Sequence, residues 1–291
     1  IILIIGALVH VSAAKFANAD INRSLQVLQT EARLKYDRET KGKRALLVVE
    51  GIDVAYDDTR VLFGVDFEVQ EGELVALLGT NGAGKSTLLK AISGLVHPTR
   101  GAVFFEGKDI THFEPEETSA NGIILMPGGK SVFPTLSVEE NLELASWLYG
   151  GDRKGAKAAI DRAFNVFPLL RSRLEQLAGS LSGGEQQMLS LAQALISRPK
   201  LLMIDELSLG LAPIIVQELT KIVEDIHANG TTIILVEQSV NVALTIARHA
   251  YFMEKGEIRF NGPTAELLGR RDILRSVFLE GAAVGVDGKK R

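Results

Sequence analysis

The chain has 291 residues, of which 46 % are hydrophobic and 23 % charged, a globular balance that excludes a disordered chain, a collagen or a coiled-coil rod. Aromatic residues amount to 6 % and the formal net charge is −4, so the composition supplies neither a base-stacking platform nor a global basic field for nucleic acid. Cysteine is absent, which removes disulfides, thiolate zinc sites and cysteine nucleophiles.

The charge is uneven. Residues 1–45 carry eight Lys and Arg against four acids, while the rest of the chain is acidic, which marks a basic leader on an acidic body. The run Ile1–Val9, followed by His10, is shorter than the about 20 apolar residues of a free-standing membrane helix and lacks the basic start of a signal peptide. Because it opens on Ile, it reads as the tail of a longer membrane helix. Ile21, Leu25, Leu28 and Ala32 recur at helical steps and predict an amphipathic stripe. Lys35–Arg44 is polar and basic, as expected of a linker on the cytoplasmic side of a membrane. Two readings are open: the end of a fused membrane domain, which is favoured, and a soluble helix docked on the body.

From Leu46 to Tyr56 and from Phe63 to Val69 apolar and polar residues alternate, the period of half-buried strands. Leu74–Leu78 is continuously apolar, as expected of a strand covered on both faces. It runs into Gly79-Thr80-Asn81-Gly82-Ala83-Gly84-Lys85-Ser86-Thr87 and then the helix-prone Leu-Leu-Lys-Ala-Ile. The three glycines let successive N–H groups converge on phosphate oxygens, and the helix start adds a positive dipole end. Lys85 reaches the β- and γ-phosphates, and Ser86 offers a hydroxyl to Mg²⁺.

Further on, Leu142–Leu148 and Ala158–Leu170 are apolar-periodic and predict helices, with Trp147 in the core. Leu181-Ser182-Gly183-Gly184-Glu185-Gln186 opens another helical run with a hydroxyl and two glycines at its start, a second anion site. One nucleotide rarely needs two such turns from one chain, so this one serves a nucleotide held by another copy. Leu201–Ile204 ends in Asp205 and Glu206, the pattern of a buried parallel strand whose C-terminal edge faces the ligand. Asp205 is placed to hold Mg²⁺, and Glu206 to orient or deprotonate the attacking water. Thr232–Val236 predicts another parallel strand, and Tyr251–Phe260 a closing hairpin turning at Lys255-Gly256. None of the five histidines (His10, His97, His112, His227, His249) falls on a motif.

In this order and spacing, the phosphate loop, Leu-Ser-Gly-Gly-Glu-Gln at 181–186 and Leu-Leu-Met-Ile-Asp-Glu at 201–206 resemble the nucleotide-binding domain of ABC transporters, over about residues 46–280. The resemblance implies an α/β fold: a P-loop NTPase core with a parallel sheet and flanking helices, under an antiparallel β layer (Leu46–Gly72 with Gly101–Phe105). It implies a helical subdomain inserted at about 137–185, and leaves a loose tail at 281–291. It further implies two cassettes, identical or different, paired head to tail. Each ATP then lies between the phosphate loop of one and the signature turn of the other, with Mg²⁺ on Ser86 and Asp205 and with Tyr56 stacked on adenine. Val132–Leu142, Ser208–Pro213 and Val236-Glu237-Gln238 look like the ATPases of importers for branched-chain and other hydrophobic amino acids. That kinship implies membrane permease subunits or a fused permease domain, an extracytoplasmic substrate-binding protein, and a place on the cytoplasmic face of the cell membrane, with no nucleic acid partner.

The chain departs from the family at four positions. Gly128 follows Pro127 where most members carry Gln, Gln238 stands in place of the switch histidine, Ala212 replaces an acidic residue and Leu207 a common proline. The Gln238 amide can bond a γ-phosphate but carries no proton between pH 5 and 8. The expected function is an active, slow ATPase driving transport. The alternatives are a nucleotide-gated regulatory module with weak ATPase activity and a soluble ABC ATPase outside transport.

Overall fold

The computed structural model describes residues 23–35, 37–39, 44–129, 131–267 and 269–270. The apolar run before residue 23 and the tail expected at 281–291 lie outside them. Among the described residues, no helix is long and apolar enough to cross a membrane.

After helix α1 (residues 23–35), β1 (Ala45–Tyr56) and β2 (Thr59–Gln70) pair antiparallel, β3 (Leu74–Gly79) begins a second sheet, and α2 (Lys85–Ile92) follows it. β4 (Arg100–Phe105) and β5 (Lys108–Asp109) return to the first sheet, and α3 (Pro115–Ala120) leads to β6 (Ile123–Met126). A helical block of α4 (Val138–Ala145), α5 (Arg153–Val166), α6 (Pro168–Arg171) and α7 (Gly183–Ile196) comes next. The second sheet is completed by β7 (Leu201–Asp205), α8 (Pro213–Ala228), β8 (Thr232–Glu237), α9 (Val240–Ile246), β9 (His249–Glu254) and β10 (Glu257–Pro263). The strand orders are β2-β1-β4-β5 and β10-β9-β3-β8-β7-β6. The first sheet is antiparallel, and in the second only β10 runs against its neighbour.

The central strands are apolar at successive positions because both sheet faces are covered. On β3, Leu74, Ala76 and Leu78 join Leu189 of α7 and Leu219 of α8 in one cluster. Val75 and Leu77 join Leu88 of α2 with Ile52 and Phe67 of the antiparallel layer in another. β7 and β8 alternate likewise, with Ile204 and Leu235 on the helical face and Met203 and Val236 on the α2 face. Successive side chains of a strand point to opposite faces. Asp205 therefore falls on the α2 face, and Glu237 on the helical face.

Three readings of the sequence need correction. The stripe of Leu25, Leu28 and Ala32 faces outward: Leu25 and Leu28 are 51 % and 61 % exposed. α1 docks on the antiparallel layer through Val27 and Leu34, packed against Val48, Ala102 and Phe104. Its buried polar residue Thr30 donates to Glu50 (2.5 Å), which also pairs with Arg33 at 2.7 Å. Periodicity alone found a helix but chose the wrong face, because the docked face includes a threonine that hydrogen bonding makes buriable. The chain is also still helical at residues 37–39, inside the stretch read as a linker. Trp147, expected in the core, is 56 % exposed. Trp147 follows the exposed Leu144, Glu143 and Glu140 by three, four and seven residues, so helical spacing itself puts it on their outward face. Tyr149 packs inward instead, its hydroxyl donating to the Ile196 carbonyl at 2.9 Å. Strand β6, between Gly122 and Pro127, had no counterpart in the sequence reading.

Candidate nucleotide-binding site

β3, β8 and β7 end in register, with Leu78 beside Glu237 and Val236 beside Asp205, so the chemistry collects at one sheet edge. The phosphate loop leaves β3 and enters α2 through Gly84, a left-handed residue (φ 102°) at the helix N-cap. Gly82 is also left-handed (φ 74°). A Cβ on Gly84 would lie 2.7 Å from Leu62 Cδ2 of β2, so the loop is clamped from above by the antiparallel layer. From the side, the β9–β10 turn holds it: Gly256 N–H donates to the Ala83 carbonyl (2.9 Å) and the Phe63 N–H to the Gly256 carbonyl (2.9 Å). Lys85 is 6 % exposed, and its ammonium donates to the carbonyls of Gly79 and Thr80, each at 2.8 Å. Asn81, Gly82 and Ser86 are exposed, Thr80 and Thr87 half-buried, and Ala83 buried. Tyr56 stands 40 % exposed at the tip of the same layer, paired with Thr59.

On the α2 face, burial pushes the Asp205 pKa up and the nearby Ser86 hydroxyl opposes that push. Asp205 Oδ1 is buried with no hydrogen-bond partner. A buried, unpaired carboxylate oxygen is costly unless a cation offsets it. A carboxylate beside a hydroxyl is the hard-oxygen set that Mg²⁺ takes, with phosphates and water completing the shell. Among the described residues, no cluster of three His, Cys, Asp or Glu could hold a metal without such help. The residues present therefore fit Mg²⁺ accompanied by a nucleotide. Gly128 lies beside this pair: a Cβ there would be 3.1 Å from the Asp205 carbonyl oxygen. Lys130 lies outside the described residues.

A carboxylate whose pKa is raised by folding costs stability as pH rises through the interval between unfolded and folded values, and the full cost persists above it. Asp205→Asn is therefore expected to raise the melting temperature of the nucleotide-free chain at pH 8. It should also remove the extra stabilisation that Mg²⁺ adds to ATP. Thermal melts with ATP, with and without Mg²⁺, check both; an intact Mg²⁺ increment would exclude Asp205 as the ligand.

Glu206 adopts φ 58°, a region rarely used by non-glycine residues and often found where function holds the backbone in strain. Its N–H donates to the Val236 carbonyl (3.0 Å), and its Oε1 accepts from the Gln238 amide at 2.5 Å. Sequence reasoning passed over Glu237 as part of a stretch similar to importer ATPases. It is 1 % exposed and accepts two hydrogen bonds from Ser208. The available signal was its register: a carboxylate next in the alternation after Ile233 and Leu235.

The second glycine turn begins α7 on the opposite face of the sheet from α2. Ser182 is its N-cap, in a reciprocal box with Glu185: the Ser182 N–H donates to Glu185 Oε2 (2.8 Å) and the Glu185 N–H to the Ser182 hydroxyl (3.3 Å). The bond from the Ser182 N–H leads the effects that lower the Glu185 pKa. Gln186 donates to the carbonyls of Ala178 and Leu181, both at 3.1 Å. Leu181 and Gly184 are buried. Glu185 and Gln186 thus build the turn, and Ser182 and Gly183 are the exposed residues at its rim.

A family model described as "ABC transporter" matches residues 62–208. The chain is 40 % identical, over 81 % of its length and all of the relative's, to the high-affinity branched-chain amino acid transport ATP-binding protein BraG of Pseudomonas aeruginosa. It is 41 % identical, over 75 % of its length and 92 % of the relative's, to the probable branched-chain amino acid transport ATP-binding protein LivF of Archaeoglobus fulgidus. The ADP conformation of MJ1267, an ATP-binding cassette of an ABC transporter, superposes with a TM-score of 0.71 at 27 % identity, covering 81 % of this chain and 98 % of that one.

Proposed function

The chain belongs to the ABC transporter family as an ATP-binding component, and on that premise we propose that it hydrolyses ATP in a site shared with a second cassette, to drive uptake of branched-chain amino acids or related small solutes. The observation that carries the site assignment is the buried, unpaired Asp205 Oδ1 beside the Ser86 hydroxyl, at the foot of the glycine cradle. The cargo is read from kinship with BraG and LivF, and it brings a permease, an extracytoplasmic binding protein and a place on the cytoplasmic face of the membrane into the same reading. The exposed Leu144 and Trp147 line a groove with Leu136; such apolar surface suits a protein partner, and we assign it to the permease. The ATPase unit is taken as residues 46–280, with its helical part at about 137–185.

In this reading Lys85 and the loop N–H groups take the phosphate charge, and Tyr56 takes the adenine. Ser86 and Asp205 hold Mg²⁺, which when bound neutralises charge on the β- and γ-phosphates. Glu206 aligns the attacking water and accepts its proton, while Gln238 fixes the Glu206 carboxylate. Ser182 and Gly183 lie at a helix start on the other face of the sheet, and they close the site of the partner cassette rather than their own.

A mixing experiment tests the shared site. Lys85→Ala and Ser182→Arg each inactivate a homogeneous pair. Mixed in equal amounts, half the pairs combine one intact loop with one intact turn, so the mixture should regain about a quarter of the wild-type rate if cassettes pair at random with two-fold symmetry. A mixture as inactive as its components overturns the shared site.

A further inference from the structure

We propose that Glu237 is a positioning residue that clamps the loop following Glu206 to the end of β8 and so fixes the line of the catalytic carboxylate. The proposal rests on the reading of Glu206 given above.

Parity puts Glu237 on the helical face of the sheet, where Ile233 and Leu235 before it are fully buried. An apolar residue would fill that place without the cost of burying a carboxylate. Burial pushes the Glu237 pKa up. Its bonds run to one partner loop: Ser208 N–H donates to Oε1 at 3.0 Å and the Ser208 hydroxyl to Oε2 at 2.7 Å.

Ser208 lies two residues after Glu206, and Gln238 directly follows Glu237. Two adjacent residues of one strand end therefore hold two alternate residues of the other: Gln238 holds Glu206 and Glu237 holds Ser208. With the Glu206 N–H on the Val236 carbonyl, the segment is tied at three successive points. Glu206 can then keep its left-handed backbone without support from the nucleotide.

The tie extends beyond Ser208. A Cβ on Gly183 would lie 3.3 Å from Leu211, and one on Gly184 would lie 2.6 Å from Ile215. The segment Glu237 clamps thus leads to residues packed directly under the signature turn, and Leu209 between them is 58 % exposed.

Steady-state Mg-ATP hydrolysis and hydrogen exchange on the intact chain test the clamp. Glu237→Ala should lower kcat about ten-fold or more and Ser208→Ala about three-fold, with the KM for ATP within about two-fold in both. The double variant should be no slower than Glu237→Ala within about two-fold, because both substitutions break one contact. Glu237→Gln, which can still accept from the Ser208 N–H and pair with its hydroxyl, should return kcat to within about three-fold of wild type. In Glu237→Ala, exchange across 206–212 should speed up about ten-fold while the 79–86 segment is unchanged. Losses that multiply in the double variant, or a Gln variant as slow as the Ala one, overturn the proposal. Should Glu237→Ala fail to fold, Ser208→Ala decides: unchanged kcat and unchanged exchange at 206–212 refute the clamp. A wild type without hydrolysis sinks the reading of Glu206, and the exchange result then still judges the clamp.

Discussion

Glu206→Gln lowers ATP turnover by about 10²–10⁴-fold, the contribution of a well-placed general base, while ATP binding persists and an ATP-bound pair of cassettes accumulates. The substitution is nearly isosteric, and the position can still accept from the Gln238 amide, which now reaches Glu206 Oε1 at 2.5 Å. It leaves the cradle, Lys85 and the Ser86–Asp205 pair untouched, so what disappears is the group proposed to take a proton from water. The measurement is phosphate release in parallel with size-exclusion chromatography in Mg-ATP. The geometry makes the outcome discriminating. Gln238 cannot take over as base near neutral pH, and in the proposed reading Asp205, on the α2 face beside Ser86, holds the cation. A chain that merely binds nucleotide as a regulatory module would turn over equally slowly with and without the substitution, and that result would remove Glu206 from the chemistry.

Much of the site was legible because its residues are contiguous. The phosphate loop, the signature turn and the Asp205-Glu206 pair are each a local pattern whose physics needs neighbouring residues: glycines for backbone reach, a hydroxyl at a helix start, an apolar strand ending in acid. Residues that act through tertiary context were harder to read. Glu237 looks like one more polar residue after a strand, and only the pairing of β8 with β7 and β3 shows that it is buried on Ser208. The side chains of Glu185 and Gln186 brace the signature turn from behind, a role that the motif alone does not show. α1 and Trp147 show the same limit from the packing side. In each, hydrophobic spacing gave a helical period, but the face that is buried depends on what lies opposite. For α1 that is Glu50 satisfying Thr30, and Trp147 shares the outward face of Glu140 and Leu144 rather than that of Asn141 and Leu142.

The loss with the next largest effect comes from Lys85→Met. Methionine keeps most of the length of the stem in a position that is 6 % exposed, so packing under the loop is largely retained and the change isolates the ammonium. In the structure that ammonium donates to the carbonyls of Gly79 and Thr80, two successive residues where β3 runs into the loop. Bonds to a charged group contribute about 1.5–3 kcal/mol each, and each 1.4 kcal/mol is about ten-fold in affinity. Removing a single phosphate contact should thus weaken Mg-ATP binding about 10–100-fold. Mg-ADP should suffer less, because in the proposed reading Lys85 shares its charge between the β- and γ-phosphates. Turnover should fall further than binding, since the γ-phosphate gains charge on the way to the transition state and the lost donor matters most there. Calorimetric titration with both nucleotides, set beside the hydrolysis rate, separates the two effects. Equal weakening for ATP and ADP would place the ammonium at the β-phosphate alone, and unchanged affinity for both would mean that this loop does not hold the nucleotide at all.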